Sequence, residues 1–316
     1  MEEHKFILSA LFSLMLCFSF NIEVVAQANV TVPTKVRAET KKPTKKPVVK
    51  KSKPKPSGSR WSGSASRSTS TEEYVNPNPV SQGMSAEEKE RIIRNLVSKM
   101  VYVSGGTFTM GATSEQGSDA YDNEVLTHSV TLSSYYIGKY EVTQAEWKAV
   151  MENNPSYFNG DDRPVECVSW DDCQTFISRL SSLTGRSFSL PTEAQWEFAA
   201  RGGNSSRSYQ YSGSYFVGDV AWYVDNSGNE THDVGTKSAN ELGLYDMSGN
   251  VMEWCSDWYG DYSSNSQTNP TGPYSGSYRV FRGGSWRNDA GHCRVSYRAG
   301  NASDSRSYHI GLRLVL

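Results

Sequence analysis

Apolar positions are distributed along the chain in three regimes. Phe6 to Phe20 form a near-continuous apolar run behind Lys5, followed by Val25-Ala26-Gln27-Ala28. A short apolar core closed by small residues is the layout of an export signal, and it is too short for a comfortable membrane span. We read residues 1–28 as a signal peptide cleaved after Ala26 or Ala28, with Cys17 discarded along with it. Residues 29–80 hold hardly any apolar side chains and are rich in Lys, Pro, Ser and Thr, as in KKPTKKPVVKKSKPKPSGSR. Such a segment cannot bury enough surface to offset its chain entropy, so a disordered basic spacer is expected.

From Ser85 onward the patterning becomes that of a folded domain, expected over 85–316. Ser85-Ala-Glu-Glu88 opens a helix whose apolar face is Ile92, Ile93, Leu96, Val97 and Met100. Met100 to Gly111 alternates on both sides of Gly105-Gly106 and predicts a hairpin turning there. A polar, acidic loop from Ala112 to Glu124 precedes two alternating runs, Thr127 to Leu132 and Tyr135 to Tyr140. Capping boxes then announce three helices: Thr143 with Glu146, Ser169 with Asp172, and Thr192 with Gln195. Trp147, Trp170, Phe176, Trp196 and Phe198 are expected in the core. Beyond Gly203, Gly, Ser, Asn and Tyr dominate, and strand-like runs are confined to 220–224, 278–281 and 311–315. Helices in the middle and short strands at both ends make an α+β fold with much irregular chain.

Charge adds little, because a net −2 over 316 residues conceals a basic arm and a mildly acidic remainder. The arm would attract polyanions, but export excludes nucleic acid as the natural partner. Cysteines change the picture more. Cys167, Cys173, Cys255 and Cys293 survive signal removal, and thiols in an oxidising compartment tend to pair. Spacing does not choose among the pairings, and no CxxC or Cys/His cluster points to zinc.

Unusual chemistry is concentrated in Gly243 to Trp258, GLYDMSGNVMEWCSDW. Asp246 and Glu253 stand seven positions apart across a Ser-Gly-Asn turn. Such an all-oxygen set suits a hard cation, calcium above all; the same residues also make an ordinary tight turn before an aromatic strand.

Six motifs occur in order between Met100 and the C-terminus: MVYVSGGTFTMG from Met100, YEVTQAEW from Tyr140, PVECVSW from Pro164, LPTEAQWEFAAR from Leu190, GLYDMSGNVMEW from Gly243 and RGGSW from Arg282. Together they resemble the formylglycine-generating-enzyme, or sulfatase-modifying-factor, family. That resemblance implies the formylglycine-generating-enzyme fold, which is C-type-lectin-like. It implies structural calcium held by the side chains of Asp246 and Glu253 and the carbonyls of Gly249 and Val251, with a second site around Asn226 and Ser227. Active members hold Cu(I) between two cysteines five positions apart and use oxygen to convert a substrate cysteine into formylglycine. Cys293 matches the second cysteine and Ser285 an active-site serine, whereas the first cysteine position is Asn288. An amide oxygen is a poor ligand for a cuprous ion, which prefers soft thiolates. His292 beside Cys293 offers a nitrogen in partial replacement. The family's turns also bring Cys255 and Cys293 toward one groove, so a bridge between them is an expectation, as is a local one between Cys167 and Cys173. Arg282, Arg294, Arg298 and Arg313 either pair with acids or line a groove.

Two functions follow from the resemblance. One is an exported copper- and oxygen-dependent oxidase acting on a cysteine of a protein or peptide substrate, with Cys293 and Ser285 at its centre. The other is a non-catalytic, calcium-braced module of the periplasm, cell envelope or exterior that binds a peptide, a glycan or a partner protein. Neither involves nucleic acid or an integral membrane domain.

Overall fold

The structure, a computed structural model, describes residues 83–316, so the expected signal peptide and basic spacer lie outside the described residues. Helix α1 (Ala86–Ser98) starts where Ser85 Oγ accepts the Glu88 amide, and it turns Leu96, Ile93 and Val97 onto the core. Strands β1 (Met100–Val103) and β2 (Gly106–Met110) follow, then β3 (His128–Leu132) and β4 (Tyr135–Gly138).

The expected hairpin at Gly105-Gly106 is absent: β1 pairs with β4 and β2 with β3, both antiparallel. The register is continuous across the two ladders, from Met100 opposite Gly138 to Met110 opposite His128. Both strands of one long ribbon therefore bend together, and the actual hairpin connection is the loop from Gly111 to Thr127. Gly105 permits the bend by close approach, since a Cβ there would lie 2.5 Å from the Leu132 carbonyl oxygen.

Helices α2 (Gln144–Met151), α3 (Trp170–Thr184) and α4 (Glu193–Ala200) all carry the reciprocal capping boxes read from the sequence. A short helix, α5 (Val217–Val220), ends where a strand was expected over 220–224, and residues 221–224 are irregular. Strand β5 (Met252–Trp258) is central to the second half, with β6 (Gln267–Thr268), β7 (Arg279–Arg282), β8 (Arg298–Asn301) and β9 (Ile310–Leu312) completing the strands. The largest sheet runs β8-β7-β5-β9, while β6 extends the ribbon beside β3.

One apolar cluster joins α1, α2 and α3 to β5, β7 and β9, with Trp147 stacked on Phe176 at 4.9 Å. A second joins the ribbon and α4 to the sheet around Trp196, Phe198, Cys255 and Val280. Buried indoles are satisfied as well as packed: Trp254 donates to the Val168 carbonyl at 3.1 Å and Trp196 to Glu253 at 2.7 Å. The second half thus replaces regular ladders with side-chain bonds to irregular backbone, which is why a segment rich in Gly, Ser and Asn is held in one shape.

Candidate functional site

The turn entering β5 is built on left-handed residues: Asp246 (φ 58°), Gly249 (φ 83°) and Asn250 (φ 58°). A Cβ at Gly249 would come within 2.4 Å of the Trp222 carbonyl oxygen, so that position requires glycine. The turn presents Asp246 and Glu253 to a buried space shared with Glu141 and Arg313. Arg313 donates to both Glu253 oxygens, at 2.9 Å from Nε and 2.7 Å from Nη2, and its remaining donors go to the carbonyls of Gly138 and Tyr245. Glu141 accepts from the Val251 amide at 3.0 Å and from the Asn250 side chain at 2.7 Å. Asp246 accepts from the Gly235 amide at 2.7 Å, while its other oxygen has no hydrogen-bond partner.

Of the expected calcium pair, Glu253 is drawn into other bonds in this structure, while Asp246 Oδ1 stays buried and unpartnered. Glu253, one of its two carboxylates, is engaged by Arg313 and Trp196, whose three N–H donors fall on both of its oxygens. The guanidinium of Arg313 faces three buried carboxyl groups, those of Glu253, Glu141 and Asp246. Burial, with the Gly235 amide and Arg313 opposing it, pushes Asp246 up to about 6; burial beside Asp246 and Glu253 raises Glu141 well above the carboxylate range. Asn226 and Ser227 are also committed, to Tyr223 and Ala221 and to the Trp286 carbonyl respectively.

The same turn braces the loop from Gly283 to Cys293. The Gly249 amide donates to the Gly283 carbonyl, the Trp286 amide to the Asn250 carbonyl, and Ser248 Oγ to the Cys293 carbonyl at 2.7 Å. Within the loop Ser285 Oγ donates to the side-chain oxygen of Asn288. Cys293 is fully buried with Tyr211, Val220 and Ala221, its sulfur 3.7 Å from the Asp289 carbonyl oxygen. Burial, reinforced by Asp289, pushes its thiol up to about 12. Gly284 (φ 70°) allows this approach, because a Cβ there would lie 2.9 Å from that sulfur. His292 does not turn to the thiol: Nδ1 bonds Asp289 at 2.6 Å and its ring packs on Tyr297 and Tyr121.

The expected disulfides are not formed, for Cys167, Cys173, Cys255 and Cys293 are all free thiols. Cys255 belongs to the core cluster of α4 and the ribbon, and Cys293 to the separate cluster around Tyr211, so their side chains serve different packing units. Cys173 faces the helical core, whereas Cys167, at φ 59°, turns toward Glu166.

All four arginines in question are buried and paired. Arg282 bridges Glu193 and Glu197, Arg298 binds Glu193, Arg294 binds Glu124 and Arg313 binds Glu253. Against the opposing effect of burial, Arg298 and Arg282 hold Glu193 down at about 2. Its neighbour Asp257 is pushed up to about 7 by burial and then by Glu193. A carboxyl whose folded pKa exceeds its unfolded one of about 4 stabilises most when protonated, and that contribution is lost as pH rises through about 7. Asp257→Asn is therefore expected to flatten the fall in stability between about pH 4 and pH 8, by up to ~4 kcal/mol. Urea melts of the two proteins across that range check this; parallel curves refute it.

Beside His292 lies an open cleft of about 540 Å³, lined by Tyr121, Asn123, Tyr259, Tyr278, Tyr297 and the edge strand β8 from Arg298 to Gly300. Asn123 ties its base together, donating to the Tyr259 hydroxyl at 2.6 Å and to the Arg298 carbonyl at 3.2 Å.

Comparison with known proteins accounts for this arrangement. The profile of the sulfatase-modifying factor enzyme 1-like domain matches residues 85–316. The chain belongs to the sulfatase-modifying-factor family. It is 34% identical to chaperone protein LppX of Paenibacillus barcinonensis, over 68% of this chain and 88% of LppX. It is 32% identical to the formylglycine-generating enzyme of Streptomyces coelicolor, over 54% of this chain but only 58% of that enzyme. The solved structure of Treponema denticola variable protein 1 superposes with a TM-score of 0.63 at 34% identity, covering 68% of this chain and 94% of that one. The fold is accordingly the C-type-lectin-like one expected of the family.

The structure brings Ser285, Asn288 and Cys293 into one loop and seats that loop on the Asp246–Glu253 turn. Two features escaped sequence reading. Pairing with an acid is one of the two roles left open for Arg313, but neither its partner Glu253 nor the arrival of Glu141 at the turn can be read from the sequence. The cleft's tyrosines come from four separate segments with no common spacing, so no linear signal marks them.

Proposed function

We propose that this protein is a binding member of the sulfatase-modifying-factor family and not a formylglycine-forming oxidase. The carrying observation is the state of the copper position: Asn288 replaces the first cysteine and its side-chain oxygen is engaged by Ser285. That leaves Cys293 as a lone, fully buried thiol pushed up to about 12. A cuprous site needs thiolate sulfur, normally from two residues, and this loop offers one thiol in its least ionisable state. The residues present therefore do not fit copper, and no oxidation step is assigned to them. Relatives named as a chaperone and a variable protein are compatible with a scaffold whose use is recognition. The apolar run at Phe6–Phe20 supports export, so the partner is sought outside the cytoplasm.

The test is direct. The full chain is incubated with Cu(I), oxygen and a Cys-x-Pro-x-Arg peptide, alongside an active formylglycine-generating enzyme as control, and the peptide is followed by mass spectrometry. We expect an aldehyde only in the control. An aldehyde formed by this chain and lost in Cys293→Ser would establish the enzyme instead.

A further inference from the structure

We propose that the tyrosine-lined cleft beside His292 binds a neutral oligosaccharide. This rests on the binding-module reading and gives it a ligand class. The walls are flat rings, Tyr121, Tyr259, Tyr278, Tyr297 and His292, and no lining side chain is aliphatic beyond the single methyl of Ala299. A protein partner's anchor, most often Trp, Tyr or Arg enclosed in a dry pocket, does not match so open a cleft. A pyranose does, because its C–H face lies against an aromatic face while its rim of hydroxyls meets polar ring edges.

Hydrogen-bonding capacity is available at that rim. The hydroxyls of Tyr121, Tyr278 and Tyr297 bond no other described residue, whereas that of Tyr259 is already taken by Asn123. His292 is fixed through Nδ1 by Asp289 and wedged edge-on against Tyr297, with ring centroids 4.7 Å apart, so the aromatic wall is set before any ligand arrives.

Charge decides between neutral and acidic sugars. The one guanidinium in the wall, Arg298, spends Nε and Nη2 on Glu193 at 2.7 and 2.8 Å and Nη1 on the Gly260 and Asn123 carbonyls. Among the described lining residues no guanidinium or ammonium remains free for a carboxylate, sulfate or phosphate, and exposed Asp122 repels one. The volume of about 540 Å³ lies within the range of small-ligand sites, and the open side lets a longer chain run past.

Saturation-transfer NMR and calorimetry on the full chain test this with maltotetraose, cellotetraose and tetra-N-acetylchitotetraose, using a hyaluronan tetrasaccharide as the anionic comparator. At least one neutral sugar is expected to bind with a Kd on the order of 1 mM or tighter. Tyr278→Ala, at an exposed position, should weaken it by about tenfold without changing the melting temperature, and Tyr297→Ala should abolish it. Absence of saturation by every neutral sugar at ~10 mM, well above that Kd, overturns the proposal. So does hyaluronan binding of equal strength, or an affinity that neither variant alters. None of these outcomes touches the non-catalytic reading, which falls only if the aldehyde forms.

Discussion

Arg313→Met is expected to cost ~3–5 kcal/mol, the range for breaking a buried ion pair by removing one partner, and thus a large share of the 5–15 kcal/mol that holds a typical domain together. The substitution keeps the bulk and removes the charge that faces Glu253, Asp246 and Glu141, all of them buried. It also strands the carbonyls of Gly138 and Tyr245. The pH signature distinguishes this from lost packing. With Arg313 present, Asp246 already titrates near 6 and Glu141 well above its usual range, so both are protonated in mild acid. Raised carboxyl pKa values mean stability that is greatest at low pH and lost as pH rises through them. Without the guanidinium both shift further up, and the deficit of the variant should be wider at pH 8 than at pH 5. Denaturant melts at the two pH values check this. The double variant Arg313→Met with Glu253→Met should recover part of the loss, since replacing both partners removes the stranded charge. Parent melting should be the same in EDTA and in millimolar calcium. A calcium-dependent rise in the parent would restore the cation cage and displace Arg313 from this role.

That cluster also shows how far the sequence could be read. The spacing of Asp246 and Glu253 suggests a cation site or a tight turn; the structure shows a buried turn that meets Arg313, and spacing along one strand cannot reveal which charge arrives from another. Arg313 sits on the chain next to β9, which pairs in parallel with β5 and so brings the guanidinium to Glu253. Long-range pairing of this kind leaves no local trace. Helices were legible for the opposite reason: Thr143, Ser169 and Thr192 cap them through contacts three residues away. The bend at Gly105 was misread as a turn because alternation specifies strands but not partners. Alternation is equally compatible with a hairpin at Gly105 and with a ribbon closed by the loop from Gly111 to Thr127.

At the candidate site the division is similar. Asn288 at the copper position is a statement about one residue against a motif, and the sequence carried it entirely. The consequences for Cys293 required the fold, because the packing of Tyr211, Val220 and Ala221 around the sulfur, with Asp289 nearby, makes the thiol hard to ionise. The failure of the Cys255–Cys293 bridge is likewise a fact of packing: shared proximity to one groove does not turn two side chains toward each other.

Glu193→Gln is the second substitution with a large expected effect, again ~3–5 kcal/mol at neutral pH by the same logic of a deserted buried partner. Glu193 accepts from Arg282 at 2.8 Å, from Arg298 at 2.7 and 2.8 Å, and from the Tyr262 hydroxyl at 3.1 Å. Arg282 would keep Glu197, whereas Arg298 would keep its backbone carbonyls and exchange a two-oxygen carboxylate for one neutral amide oxygen. The sign of the pH dependence is opposite to that at Arg313. Held at about 2 in the folded state, Glu193 contributes stability that is complete above its unfolded pKa of about 4.3 and is lost as pH falls toward 2. The gap between parent and variant should therefore be full at pH 7 and close progressively below pH 4. A second readout is local. Asp257 is raised first by burial and then by the Glu193 charge, so its titration, followed by carboxyl carbon NMR, should move down in Glu193→Gln while its burial persists. Because Arg298 also forms the floor of the tyrosine cleft, stacked over Tyr259 at 4.6 Å, the variant should lose order there as well. A variant that melts like the parent at pH 7, with Asp257 titrating unchanged, would remove Glu193 as the hub that fixes β8 and the cleft to α4.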